Sequence, residues 1–157
     1  MAAFRCAVDH QVGWVEADVD IIADGTVIIC HDSTLDRTTN RAGRYDDLTV
    51  ADLAGIDAGG WFSPRFKGES LPTLRNLIDL MNATGLNANI EIKPNGTGRE
   101  ATLRLIDGVI AQLEHLRPGA EVIVSSFSHL LLHLFKQRAP HVPVGCLYRS
   151  RTLSDDW

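Results

Sequence analysis

The chain has 157 residues, with 15 Lys and Arg against 20 Asp and Glu, a formal charge of −5 with neutral histidines. At 45% hydrophobic and 22% charged residues it has the composition of a folded globular domain and excludes a disordered chain. The negative balance argues against nucleic-acid binding through general positive charge. No apolar run approaches the ~18 residues needed to span a bilayer.

In chain order, residues 1–14 mix charge and His10 with apolar residues and lack the charged and apolar blocks of a secretory signal. Short β-type runs at 14–19, 26–30, 88–92, 121–125 and 144–148 alternate with helix-type runs, the signature of βα units around a mostly parallel sheet. Leu74, Leu77, Ile78 and Met81 recur at helical spacing over 74–83, and Gly85 closes that helix. A second helix is predicted over 99–116 from Leu103, Ile106, Val109, Ile110 and Leu113. A third begins after Ser128 as N-cap and ends at Arg138 before Pro140. The segment 33–72 is too long and polar for an ordinary βα loop and reads as an insertion. Within it, Thr49-Val-Ala-Asp52 has the form of a capping box opening a short helix that Gly55 ends.

The first strand reads Val15-Glu16-Ala17-Asp18-Val19-Asp20, so the two-residue period places Glu16, Asp18 and Asp20 on one face. Buried carboxylates need a cation or hydrogen-bond donors, and oxygen-only donors suit Mg²⁺ or Ca²⁺; a half-exposed polar face is the alternative. The second strand is apolar until it ends in His31-Asp32, the pattern of a strand buried on both faces of a parallel sheet. His31 there is a candidate general acid or base, with Asp32 orienting it or capping the next turn. The third strand alternates Asn89, Glu91 and Lys93 with isoleucines. A cation held by Glu16, Asp18 and Glu91, with Lys93 beside it, makes a positive pocket suited to phosphate. A simple Lys93–carboxylate ion pair is the plainer reading of Lys93.

Other motifs carry less. Gly96-Thr-Gly98-Arg-Glu-Ala101 fits a dinucleotide fingerprint, but Lys93-Pro94-Asn95 precedes it and the strand before it is not apolar, so it reads as a turn and helix entry. His129 and His133 lie four apart without the Glu of a zinc-protease HExxH. Cys6, Cys30 and Cys146 are odd in number, so they cannot all pair within the chain; they have no metal-type spacing, and each is expected to be buried.

Together the motifs resemble the glycerophosphodiester phosphodiesterase family, particularly its bacterial cytosolic members. The resemblance rests on Val15-Glu16-Ala-Asp18, Ala23-Asp24-Gly25 through His31-Asp32-Ser-Thr-Leu-Asp36-Arg37-Thr38-Thr39, Ile56-Asp57-Ala58-Gly59-Gly60-Trp61-Phe62, Leu71-Pro72-Thr73-Leu74 and Ile90-Glu91-Ile92-Lys93-Pro94. It continues more loosely from Val124-Ser-Ser-Phe127 to Asp155-Asp156-Trp157. It implies an α/β fold, a (β/α)₈ TIM barrel with a small inserted subdomain, and hydrolysis of small-molecule glycerophosphodiesters to sn-glycerol 3-phosphate and an alcohol. It implies that Glu16, Asp18 and Glu91 hold one Mg²⁺ or Ca²⁺, that His31 is one of two acid/base histidines, and that Lys93 contacts phosphate. Asp20 matches no ligand position.

Family members begin with a His-Arg-Gly strand, which this sequence lacks; residues 2–5 align with the middle of the first helix. A full barrel takes ~250 residues, so residues 1–157 are expected to be a partial domain, truncated at both ends and covering about strands 2 to 6, with the insertion at 33–72. Such a fragment is expected to be inactive alone. The alternatives are a catalytically dead glycerophosphate-binding protein or another barrel phosphodiesterase of phospholipase C or D type. A cytoplasmic location is the corresponding expectation, with no nucleic-acid partner and no transmembrane segment.

Overall fold

The structure is a computed structural model that describes residues 1–93 and 98–149. Its elements are α1 (Ala2–Asp9), β1 (Trp14–Ile21), β2 (Val27–Ile29), α2 (Val50–Leu53), a 3₁₀ turn (Pro64–Phe66), α3 (Leu74–Thr84), β3 (Asn87–Ile92), α4 (Arg99–Leu113), β4 (Val122–Ser126), α5 (His129–Arg138) and β5 (Val144–Cys146). The strands form one sheet in the order β2-β1-β3-β4-β5. β1, β3, β4 and β5 run parallel, joined through helices as crossover connections require.

The sheet has two chemically different faces because side chains alternate along each strand. Ala17, Val19, Ala88, Ile90, Ile92 and Val124 point toward the helices and join Leu74, Leu77, Ile78, Met81, Leu105, Ile106, Val109, Leu131, Leu132 and Phe135 in the main core. The opposite face carries Glu16, Asp18, Asn89, Glu91 and Ser125, which the strand register sets side by side. The helices form where the apolar spacing puts them. Thr73 caps α3 through the Asn76 backbone N–H, Ser128 caps α5 through the Leu131 N–H, and Gly85 ends α3. Thr49 and Asp52 close the capping box that opens α2, with the Thr49 N–H and hydroxyl both donating to Asp52 Oδ2 at 2.8 Å.

Three expectations are corrected. β2 is antiparallel to β1, pairing Val19 with Ile29 and Ile21 with Val27, where a parallel strand was expected. Only residues 22–26 separate the two strands, too few for the dozen-residue crossover a parallel pair needs. Asp24-Gly25 supplies the turn, with Gly25 at φ +91°, a backbone region open to glycine. Among the cysteines, Cys30 is buried but Cys6 and Cys146 are exposed. Cys6 lies on a helix with no buried residue and Cys146 on the edge strand β5, so neither reaches a core. The fifth strand ends at Cys146 rather than at 148.

The segment 33–72 packs around its own apolar cluster, in which Leu35, Tyr45, Leu48, Leu53, Ile56 and Leu71 enclose Ile22, Ile28 and Cys30 of the hairpin. Asp24 ties the two together, accepting from the Thr26 N–H at 2.9 Å and the Val50 N–H at 2.7 Å. Among the described residues no helix is long and apolar enough to cross a membrane.

Candidate active site

β1 presents Glu16 and Asp18 on the polar face, and β3 presents Glu91 directly opposite Asp18 in the parallel register. One ligand oxygen from each of the three lies within 4.8 Å of the others. Lys93, just past the end of β3, is fixed by its own N–H donating to the Val19 carbonyl at 3.1 Å. Its Nζ stands 3.5 Å from Asp18 Oδ1. The ion pair expected as the plainer reading is therefore present, and it places a cation at the edge of the carboxylate group.

The electrostatics are those of a charge excess on one side. Glu16 and Glu91 both titrate above the ordinary carboxylate range, in each case first because burial penalises the ion and next because Asp18 repels it. Lys93 and His31 pull the other way but do not cancel these effects. Three carboxylates facing one ammonium leave two negative charges uncompensated. The donors are all hard oxygens, and 4.8 Å is within the span of two ligands across one ion at Ca²⁺–O distances of about 2.3–2.6 Å. The residues present thus fit a single divalent cation.

His31 follows β2 and reaches this neighbourhood by a route other than the one expected. β1 runs on to Ile21 and the hairpin then turns back, so that the Cys30 N–H donates to the Asp18 carbonyl at 3.0 Å and His31 is carried back toward the acidic group. Its side chain is 65% exposed, and its Nδ1 lies 2.7 Å from Asp32 Oδ1. Asp20, by contrast, is taken up by the segment 33–72. It is 3% exposed, and its Oδ2 accepts from the Tyr45 hydroxyl at 3.0 Å.

Ser125 is a residue on this face that the sequence reading passed over. It sits opposite Glu91 in the register, is 2% exposed, and its Oγ has no hydrogen-bond partner among the described residues; the same holds for Asn89 Oδ1. Only the pairing of β3 with β4 reveals it, since Ser125 and Ser126 are indistinguishable in sequence while Ser126 Oγ donates to the Ile92 carbonyl at 2.8 Å.

The remaining motifs are structural where they are described. His129 bonds the Leu147 carbonyl and meets the Tyr148 ring edge to face, and His133 pairs with Gln137. Gly98 stands as N-cap of α4, while the first glycine of the GxGxxA run, Gly96, lies outside the described residues, as does the stretch 155–157. In the Asp57-Ala-Gly-Gly-Trp-Phe run, Asp57 Oδ1 accepts from the N–H groups of Gly59 and Gly60, both at 2.9 Å. The motif is thus a tight turn.

The sheet and its site are those of a partial α/β TIM barrel that gathers acidic, basic and imidazole side chains toward the C-terminal ends of its strands. The chain belongs to the glycerophosphoryl diester phosphodiesterase family, whose sequence profile it matches over residues 1–157. It is 35% identical over 149 residues to a glycerophosphodiester phosphodiesterase of Caldanaerobacter subterraneus subsp. tengcongensis, covering 95% of this chain and 60% of that protein. It is 33% identical to one of Bacillus subtilis strain 168, covering 97% and 55%. Among solved structures, an Oleispira antarctica phosphodiesterase in complex with its product sn-glycerol-3-phosphate superimposes with a TM-score of 0.86 at 29% identity, over 92% of this chain and 58% of that one. The chain thus spans about three fifths of the length of the relatives it matches.

Proposed function

We propose that the chain carries the metal-binding half of a glycerophosphodiester phosphodiesterase site, acting on small-molecule glycerophosphodiesters to give sn-glycerol 3-phosphate and an alcohol. The observation that supports this reading is the register pairing of Asp18 with Glu91, which brings three carboxylates within 4.8 Å beside Lys93 and His31. In it Glu16, Asp18 and Glu91 hold one Mg²⁺ or Ca²⁺, which when bound supplies charge neutralisation at the phosphoryl oxygens. Residues 33–72 form the insertion beside that site.

Lys93 orients the phosphate by a direct charge contact and stabilises negative charge that builds on its oxygens. His31 exchanges one proton, either with the attacking hydroxyl or with the leaving alkoxide. The second proton transfer needs a further acid/base group. The family's His-Arg-Gly motif, which would supply it, does not occur among the 157 residues. The chain alone is accordingly expected to bind and not turn over.

The test has two arms. Calorimetric titration of the purified chain with sn-glycerol 3-phosphate should show binding that needs Mg²⁺ or Ca²⁺, is lost with Glu91→Gln and is weakened with Lys93→Ala. Binding unaffected by chelation or by Glu91→Gln would refute the site. Hydrolysis of glycerophosphocholine or glycerophosphoethanolamine is read by released sn-glycerol 3-phosphate. Turnover abolished by Glu16→Ala or His31→Ala would overturn the expected inactivity while supporting the site.

A further inference from the structure

Arg37 has no part in the proposed reaction, yet its guanidinium grips the carboxylate that contacts the candidate acid/base residue. Its Nε donates to Asp32 Oδ2 at 2.6 Å and its Nη2 to Asp32 Oδ1 at 3.0 Å, so it grips both carboxylate oxygens at once. Asp32 Oδ1 is also the atom 2.7 Å from His31 Nδ1. The three side chains form a line from guanidinium through carboxylate to imidazole.

The backbone beneath Arg37 is held independently of these contacts. Leu35, two residues before it, is fully buried in the apolar cluster of the segment 33–72. Thr39, two residues after it, returns to the Leu35 carbonyl through both its N–H, at 3.1 Å, and its hydroxyl, at 2.8 Å. Asp36 accepts from the Gly43 N–H at 3.0 Å. Arg37 is therefore presented from a braced turn.

Stability is a weak reason for this arrangement. Arg37 and His31 are 60% and 65% exposed, and exposed ion pairs add little to folding. Orientation is a strong one. An ionised carboxylate only accepts hydrogen bonds, so at the His31–Asp32 contact the ring must donate from Nδ1. A bidentate arginine fixes the carboxylate plane in a way a lysine cannot.

We propose that Arg37 is a positioning residue for His31. By clamping Asp32 it fixes the ring orientation and the Nδ1–H tautomer, leaving Nε2 as the nitrogen that exchanges a proton with substrate. Through this line the segment 33–72 sets the geometry of the acid/base group and does more than pack beside it. The role in catalysis rests on the phosphodiesterase reading; the tautomer does not.

The tautomer is read by two-bond ¹H–¹⁵N correlation on the histidine-labelled chain at a pH where the ring is neutral. The His31 signals are assigned by their loss in His31→Gln. The wild-type ring should be mainly protonated at Nδ1, the reverse of the preference of free histidine. Arg37→Gln should lower the Nδ1–H fraction by about twofold or more with the unfolding midpoint unchanged, and Arg37→Lys should fall between the two. A wild-type ring protonated mainly at Nε2, or a tautomer indifferent to Arg37→Gln, would overturn the proposal. If the tautomer shifts as described while the chain shows no cation-dependent binding of sn-glycerol 3-phosphate, the positioning role stands and the phosphodiesterase reading falls.

Discussion

Replacing Glu91 by Gln should stabilise the cation-free chain and destabilise it relative to wild type once a divalent cation is supplied. The nearest oxygens of Glu16, Asp18 and Glu91 lie within 4.8 Å of one another. Two unit charges at about that separation repel by about 3.5 kcal/mol at an effective dielectric of ~20 and by about 0.9 kcal/mol in bulk water. The substitution removes two such repulsions, screened toward the lower figure on the exposed Glu16 side, and gives up the attraction of Lys93 for Glu91. The net gain is about 2 kcal/mol, or about 4–8 °C in midpoint for a chain of this size. With cation at about 100 times its dissociation constant the wild type gains about 2.7 kcal/mol, whereas Glu91→Gln, short of one ligand, gains little. The two stabilities therefore cross.

The pH dependence has a fixed sign as well. Glu16 and Glu91 have raised folded-state pKa values, so the stability they contribute is full below their ordinary value of 4.5 and lost as pH rises through the folded values. Thermal unfolding followed by circular dichroism, with EDTA and then with Mg²⁺ or Ca²⁺, reads all of this. Wild-type stability without cation should decline as pH rises above 4.5 through these groups, and Glu91→Gln should decline less. A Glu91→Gln chain less stable than wild type in EDTA at neutral pH, or one that gains as much from cation, would refute the reasoning.

Three further outcomes follow from packing. In Gly59→Ala the new Cβ would stand 2.1 Å from the Phe66 carbonyl oxygen and 2.9 Å from Glu69 Cβ; the backbone must move, at a cost of about 2 kcal/mol or more, and hydrogen exchange should show lost protection concentrated in 33–72. Tyr45→Phe removes the hydroxyl that donates to buried Asp20 and should cost about 1–3 kcal/mol by urea unfolding. Ser125→Ala deletes a buried hydroxyl with no hydrogen-bond partner among the described residues, and should leave stability unchanged or raise it by about 1 kcal/mol; a loss above that would mean the hydroxyl is paired.

How far the site could be read in advance depended on which interactions were local in sequence. Period-two alternation in β1 and β3 is a property of each strand alone, so the common face of Glu16 and Asp18, and that of Glu91 and Lys93, was legible without any pairing. What alternation cannot supply is the offset between strands, and that offset is what makes Asp18 and Glu91 neighbours and brings Ser125 alongside. The helices were legible for the same local reasons, through Thr73, Ser128, Gly85 and the Thr49–Asp52 box.

The hairpin is the instructive miss. Its turn signal, Asp24-Gly25, was present and is a strong short-range marker of an antiparallel pair, yet the βα rhythm of the rest of the chain suggested a parallel strand. The reversal matters to the site. A parallel β2 running away with β1 would carry His31 up beside β1's end, whereas the antiparallel return brings it down to the level of Asp18, where its charge is felt by Glu16 and Glu91. It also places the residues after His31 against the outer edge of the sheet, so that the segment 33–72 condenses on Ile22, Ile28 and Cys30 and can hold Asp32 from the side through Arg37. The strand direction that the sequence rhythm obscured is thus the physical reason why a five-residue turn, and not a βα crossover, joins the acidic strand to the imidazole.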